Sequence, residues 1–165
     1  MPEPSDYWAD FAERLDRLGI EAKLIGALAA DLYRATPRST TDADFLARSL
    51  DGLVDDLEAD GYDCRVMRDV DDGPYAIFVR GHDQRIDVLL AETEYQRLAL
   101  DRAQGPAITA EDVIVHKLLA WRARDRDDIE QILRGSVILD TDYINEWAAR
   151  WEVADRWAEA RRLAG

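Results

Sequence analysis

One cysteine and two histidines in 165 residues leave little room for thiol or imidazole chemistry. With Cys64 alone, an internal disulfide framework and a Cys-rich zinc cluster are both excluded. No histidine lies near Cys64 in sequence to pair with it, so it reads as a buried strand residue. His82 and His116 lack the short spacing of paired metal ligands. No apolar run approaches the roughly 20 residues that a membrane helix needs, and the N-terminus lacks the basic stretch and apolar core of a secretory signal. The expected setting is therefore cytoplasmic, with no membrane partner. Positive charge is also scarce. Lysine and arginine total 21 against 35 acidic residues, giving a net charge of −14. Because phosphate neutralisation supplies most non-specific nucleic-acid affinity, this balance disfavours general DNA binding. It leaves room for a local basic cleft or a metal-bridged nucleotide.

What is present is a foldable pattern. Apolar residues make up 47% of the chain and are interleaved with charges, as expected for one compact domain or an α/β body with a helical appendage. Ser5 is placed to cap a first helix running to about Leu18, on the stripe Trp8, Phe11, Leu15 and Leu18. A strand over 22–25 leads through Gly26 into a helix reaching Tyr33, which Pro37 prevents from continuing. A second strand follows over 42–47, a helix over 50–59 and a strand over 62–67. A turn at Asp71, Asp72, Gly73 and Pro74 precedes two strands over 75–79 and 85–90. After Gly105 and Pro106 the chain reads as helical: 109–121, opened by a capping box of Thr109 and Asp112, then 125–133, 141–151 and 153–163. The expected architecture is an α/β (α+β) core over 1–105, with a mixed sheet of about five strands, and a helical region over 106–165 packed on it. Trp147, Trp151 and Trp157 are spaced as core residues. The acidic runs at Asp55, Asp56, Glu58 and Asp60, and at Asp69, Asp71 and Asp72, lack the glycine turn of a calcium loop and read as solvated surface.

The strongest chemical signal is Arg38-Ser39-Thr40-Thr41-Asp42-Ala43-Asp44. Residues i and i+2 of a strand share a face, so Asp42 and Asp44 project side by side. Two such carboxylates repel unless a cation lies between them, and hard oxygen ligands suit Mg²⁺. Asp87, in the apolar stretch Arg85-Ile86-Asp87-Val88-Leu89-Leu90, is the natural third ligand. Gly26 stands where a strand turns directly into a helix. Two readings apply to it: a phosphate cradle at the helix start, or a residue that merely permits a tight turn. Asp42 follows Gly26 by sixteen positions, enough for one helix and a return to the next strand.

Together these pieces resemble the nucleotidyltransferase superfamily, in particular small bacterial members of the AbiEii-toxin type. The family carries a strand-ending glycine followed by Gly or Ser, a helix, an Arg-x-Thr-x-Asp-x-Asp stretch and a downstream strand aspartate, here Asp87. A lysine helix, then an Arg and an Asp-x-x-Asp pattern, match Lys117, Arg122, Asp125 and Asp128. Ala27 departs from the usual Gly or Ser: its backbone N–H remains, but a hydroxyl contact is lost.

The resemblance implies a metal-dependent transfer of a nucleoside monophosphate from a nucleoside triphosphate to a hydroxyl of an RNA (a tRNA end among them), a protein or a small molecule. Toxin action in a toxin–antitoxin pair, with an antitoxin as partner, is part of what it implies. Asp42, Asp44 and Asp87 would hold Mg²⁺ or Mn²⁺, and Lys117 would join them in catalysis. Gly26, Ala27, Arg38, Thr40, Lys117, Arg122 and Asp125 would bind the nucleotide. On the residues alone, Lys117 is equally an ordinary amphipathic-helix lysine, and Asp125 and Asp128 are helix caps or orienting groups for Lys117 and Arg122. A degenerate, inactive member acting through a protein partner is the alternative. A metal-dependent nuclease also gathers carboxylates and lysine, but does not require a glycine at that strand-to-helix turn.

Overall fold

A computed structural model describes residues 7–165. Alternating apolar residues build a five-stranded sheet: β1 (Ala22–Ile25), β2 (Asp42–Ala47), β3 (Asp63–Asp69), β4 (Gly73–Gly81) and β5 (Gln84–Leu90). The strand order is β1-β2-β5-β4-β3; β2 and β5 are parallel and every other pair is antiparallel. On one face Ala43, Phe45, Ala47, Ile86 and Val88 are buried. The helix α1 (Tyr7–Arg17) lies against this face, with Phe11 and Phe45 ring centroids 5.4 Å apart. The proposed Ser5 cap lies outside the described residues. The helices α2 (Gly26–Asp31) and α3 (Leu53–Ala59) complete the flanks of the sheet.

Four helices form the last third: α5 (Ala110–Ala120), α6 (Ala123–Arg134), α7 (Thr141–Arg150) and α8 (Ala154–Ala164). They do not stand apart. Pro106 and Ile108 exchange backbone hydrogen bonds with Leu24 of β1 at 2.9 and 3.1 Å. One buried cluster runs from Phe11 through the sheet to Ile114, Ile129, Trp147 and Trp157. Trp147 and Trp157 are core residues as the spacing suggests, whereas Trp151 is 38% exposed. Cys64 is half-buried on β3 rather than enclosed.

Other differences have local causes. The helix expected from residue 50 starts at Leu53, because Gly52 adopts a left-handed φ of 74° as its N-cap. Gly73 and Pro74 belong to β4, past the turn. A helix absent from the sequence reading, α4 (Glu94–Arg102), is opened by a full capping box between Thr93 and Gln96. At α5 the box is only half made. The Thr109 hydroxyl accepts from the Asp112 N–H, but the Asp112 carboxylate is fully buried and serves the contacts with α4 and α7. It accepts from the hydroxyls of Tyr95 at 3.0 Å and Tyr143 at 2.6 Å, and Arg102 Nε stands 3.4 Å away. Burial, then the Asp112 charge, push the Tyr95 hydroxyl above the ordinary phenol range.

Asp112 thus joins three helices at one buried point. Asp112→Ala removes the carboxylate that accepts from the hydroxyls of Tyr95, Tyr143 and Thr109 and pairs with Arg102, and should destabilise the fold by about 3 kcal/mol. Urea denaturation reads this directly; a loss below about 1 kcal/mol, the worth of an ordinary hydrogen bond, would show that the hub is not holding the helices.

Candidate active site

The strand pairing builds the site. Asp42 and Asp44 alternate with buried Ala43 and Phe45, so both carboxylates leave the core face. Parallel pairing sets Asp44 opposite Asp87, and antiparallel pairing sets Ile25, the end of β1, on the other side of Asp44. Three aspartates from two adjacent strands therefore share one face.

Gly26, directly after Ile25, has a left-handed φ of 66°. A Cβ added there would meet Asp44 Oδ2 at 2.6 Å. The glycine is thus needed for the turn and also for the Asp44 carboxylate to sit where it does, a second reason that the sequence alone does not reveal. The helix it opens is only six residues long; Leu32 to Arg34 continue it as a turn, so the helix through Tyr33 is shorter than expected.

Gly26, Ala27, Arg38, Thr40, Asp42, Asp44, Asp87, Lys117 and Arg122 line one cavity of about 280 Å³. Arg124 joins them. No sequence signal singles it out beyond its place in the first turn of α6. The cavity has an acidic wall on the sheet and a basic wall from the loop before β2 and from α5 and α6. Asp44 reports this balance. Burial, then the charges of Asp87 and Asp42, push its carboxyl up to about 6, against the opposing pull of Lys117 and Arg124.

The basic wall is fixed from behind by two buried carboxylates. Asp128 accepts from Arg34 at 2.5 Å, Lys117 at 2.6 Å and Arg38 at 2.9 Å, with none of its side chain exposed. Asp125 accepts from the Arg122 N–H at 3.0 Å, capping α6, and from its guanidinium at 2.7 Å; Lys117 lies 3.3 Å away. Both alternatives for Asp125, a cap and an orienting group, are therefore realised together. Asp31 accepts from the Arg38 backbone N–H at 3.2 Å and pins the loop. Arg34, whose side chain is 6% exposed, completes the network without any signal in its sequence context. Tyr7 also reaches the rim, donating to the Thr41 carbonyl at 2.7 Å.

The acidic wall is partly compensated by arginines of the sheet. Arg80 donates to Asp87 Oδ1 at 2.7 Å, and Arg85 Nε stands 3.7 Å from Asp42. Among the described residues, no three His, Cys, Asp or Glu side chains are gathered closely enough to enclose an ion. The three aspartates share the cavity, with Asp87 turned to Arg80 and Asp42 approached by Arg85.

An acid whose folded-state pKa is raised stabilises the fold while protonated, and that stability is lost as pH rises through the folded value. Asp44→Asn should therefore stabilise the metal-free protein at pH 7.5, on the order of 1–2 kcal/mol. The gain should vanish near pH 4, where wild-type Asp44 is itself protonated. Thermal melts of both proteins across that range test this; an equal offset at both pH values would contradict it.

No protein-family model matches the chain, and no curated protein matches it significantly in sequence. Solved structures match it in fold. An antigenic nucleotidyltransferase-like protein from Paracoccidioides brasiliensis is similar with a TM-score of 0.54 and 17% identity, over 96% of this chain and 91% of that one. The antibiotic-resistance factor ANT(2'')-Ia is similar with a TM-score of 0.50 and 17% identity, over 90% and 89%. In its mixed five-stranded sheet and flanking helices, the chain has the nucleotidyltransferase fold.

Proposed function

We propose that this chain is a nucleotidyltransferase whose Asp42, Asp44 and Asp87 hold divalent metal, Mg²⁺ or Mn²⁺, facing a triphosphate on the opposite wall. The observation that carries this reading is the division of one cavity into three co-facial carboxylates and four cations, Arg38, Lys117, Arg122 and Arg124. In a chain of net charge −14, four cations around one cavity are a local reversal that solvation alone does not require. The donor set suits the metal: hard carboxylate oxygens, with Asp44 raised first by burial and then by the charges of Asp87 and Asp42, which a cation would offset.

The roles divide by wall. Bound metal would neutralise triphosphate charge and make an acceptor hydroxyl more acidic. Lys117, Arg38, Arg122 and Arg124 bind phosphate oxygens, and Asp125 and Asp128 keep the first three in place. Gly26 and Ala27 leave the entry of α2 free of bulky side chains. Thr40 lies in the loop that presents Arg38 and Asp42. The acceptor oxygen bonds to the α-phosphorus, the bond from that phosphorus to the bridging oxygen breaks, and pyrophosphate leaves; the hydroxyl proton passes to the acidic wall and on to water. The acceptor is an RNA, a protein or a small molecule, and the AbiEii-type resemblance favours a toxin opposed by an antitoxin, acting in the cytoplasm.

A second reading has its own observation. Arg80 on Asp87 and Arg85 near Asp42 place arginine where metal would be held, as in a degenerate, inactive member that works through a protein partner.

Two measurements separate them. Calorimetry with ATP, CTP, GTP and UTP should show binding that depends on Mg²⁺ and is lost on Asp42→Ala with Asp44→Ala. Incubating α-phosphate-labelled triphosphates with tRNA, cell extract and the protein itself should show transferred label, lowered at least about a hundredfold in the same variant. Binding without transfer to any acceptor, or no binding at all, would favour the inactive reading.

A further inference from the structure

Arg80 is held too firmly to be an incidental surface partner of Asp87. Its Nη1 donates to the Val79 carbonyl at 2.8 Å, to the Ile86 carbonyl at 3.3 Å and to Asp87 Oδ1 at 2.7 Å. Its guanidinium also lies over the Phe78 ring, 6.0 Å from the centroid. β4 pairs with β5 so that Phe78 is opposite Asp87 and Arg80 opposite Arg85. Ring, guanidinium and carboxylate therefore share the face that carries Asp42 and Asp44. Backbone carbonyls and an aromatic face fix a delocalised cation in place before any ligand arrives.

We propose that Arg80 is a built-in stand-in cation that competes with divalent metal for Asp87, so that the third carboxylate joins the site only when the guanidinium yields it. This rests on the metal site argued above. It explains why three aspartates on one face do not converge on one point among the described residues. Asp87 carries its own counter-charge, Asp42 has only the distant Arg85, and Asp44 has no ion-pair partner among the described residues. Metal should accordingly enter first between Asp42 and Asp44. Arg80 is a positioning residue by this argument, acting on the site through Asp87.

The test is Mn²⁺ binding to the nucleotide-free full chain, by calorimetry and by Mn²⁺-induced thermal stabilisation. Arg80→Gln should tighten Mn²⁺ by about two- to fivefold, the effect of removing a half-exposed ion pair. In an Asp87→Asn background the same change should have no effect. Arg80→Lys keeps the charge without the planar fork and should fall between wild type and Arg80→Gln. Far-ultraviolet circular dichroism and an unliganded melt check that each variant is folded; if Arg80→Gln does not fold, Arg80→Lys against Asp87→Asn decides the question. Unchanged or weaker Mn²⁺ affinity in Arg80→Gln, with wild-type binding still lost on Asp44→Asn, would overturn the competition while leaving the metal site intact. No Mn²⁺ binding to wild type or variant would overturn both.

Discussion

Like charges forced onto one face of a sheet are the constraint around which this molecule is arranged. Parallel pairing of β2 with β5 places Asp44 opposite Asp87, with Asp42 two residues along the same face. At Asp44 burial, then the charges of Asp87 and Asp42, make ionisation costly. A fold selected for stability alone has little reason to keep this arrangement. Apolar Leu46 and Leu89 continue the same alternation on these strands and pack with Leu100 of α4, which shows what the face does where no site is required.

The compensating charge comes from elsewhere in the chain and needs its own support. Cations beside an acidic wall would collapse onto it and cancel it if nothing else held them. Asp128 prevents this by engaging Arg34, Arg38 and Lys117 from the far side, and Asp125 does the same for Lys117 and Arg122. A buried carboxylate with one cationic partner is at best a neutral contribution to stability. Asp128 has three, and two of them, Arg38 and Lys117, also line the cavity. The two walls therefore stay distinct, as the proposed metal-bridged triphosphate would require.

Sequence pattern carries much of this and fails at identifiable points. Strand alternation sufficed for β1 and β2 to the residue, and for Asp42, Asp44 and Gly26 as a group, because period-two spacing and a glycine between strand and helix are local signals. α4 escaped a reading by apolar periodicity, since its polar run Glu94, Gln96 and Arg97 masks the stripe; the Thr93 and Gln96 box was the available signal. The contact between Gly26 and Asp44 is long-range and has no sequence signature. Arg34, Arg80 and Arg124 are equally invisible. An arginine in a chain rich in acids has many possible partners, and only strand register or helix packing selects one.

The same packing decides how the chain divides. Composition changes at Gly105, and the residues before it hold every carboxylate of the acidic wall. Yet Lys117 comes from α5, Arg124 from α6 and Arg122 from the cap between them, and Asp125 and Asp128, which orient the cations, come from α6. α5 is seated by α2 on one side and by α6 and α7 on the other. Ile108 is hydrogen-bonded to β1 immediately before α5 begins. The segment before Gly105 taken alone would keep three mutually repelling aspartates and lose most of the cations that face them. Whatever the division of the chain by composition, the electrostatic unit is the exposed face of β2 and β5 together with α5 and α6, and the helical third is half of the site.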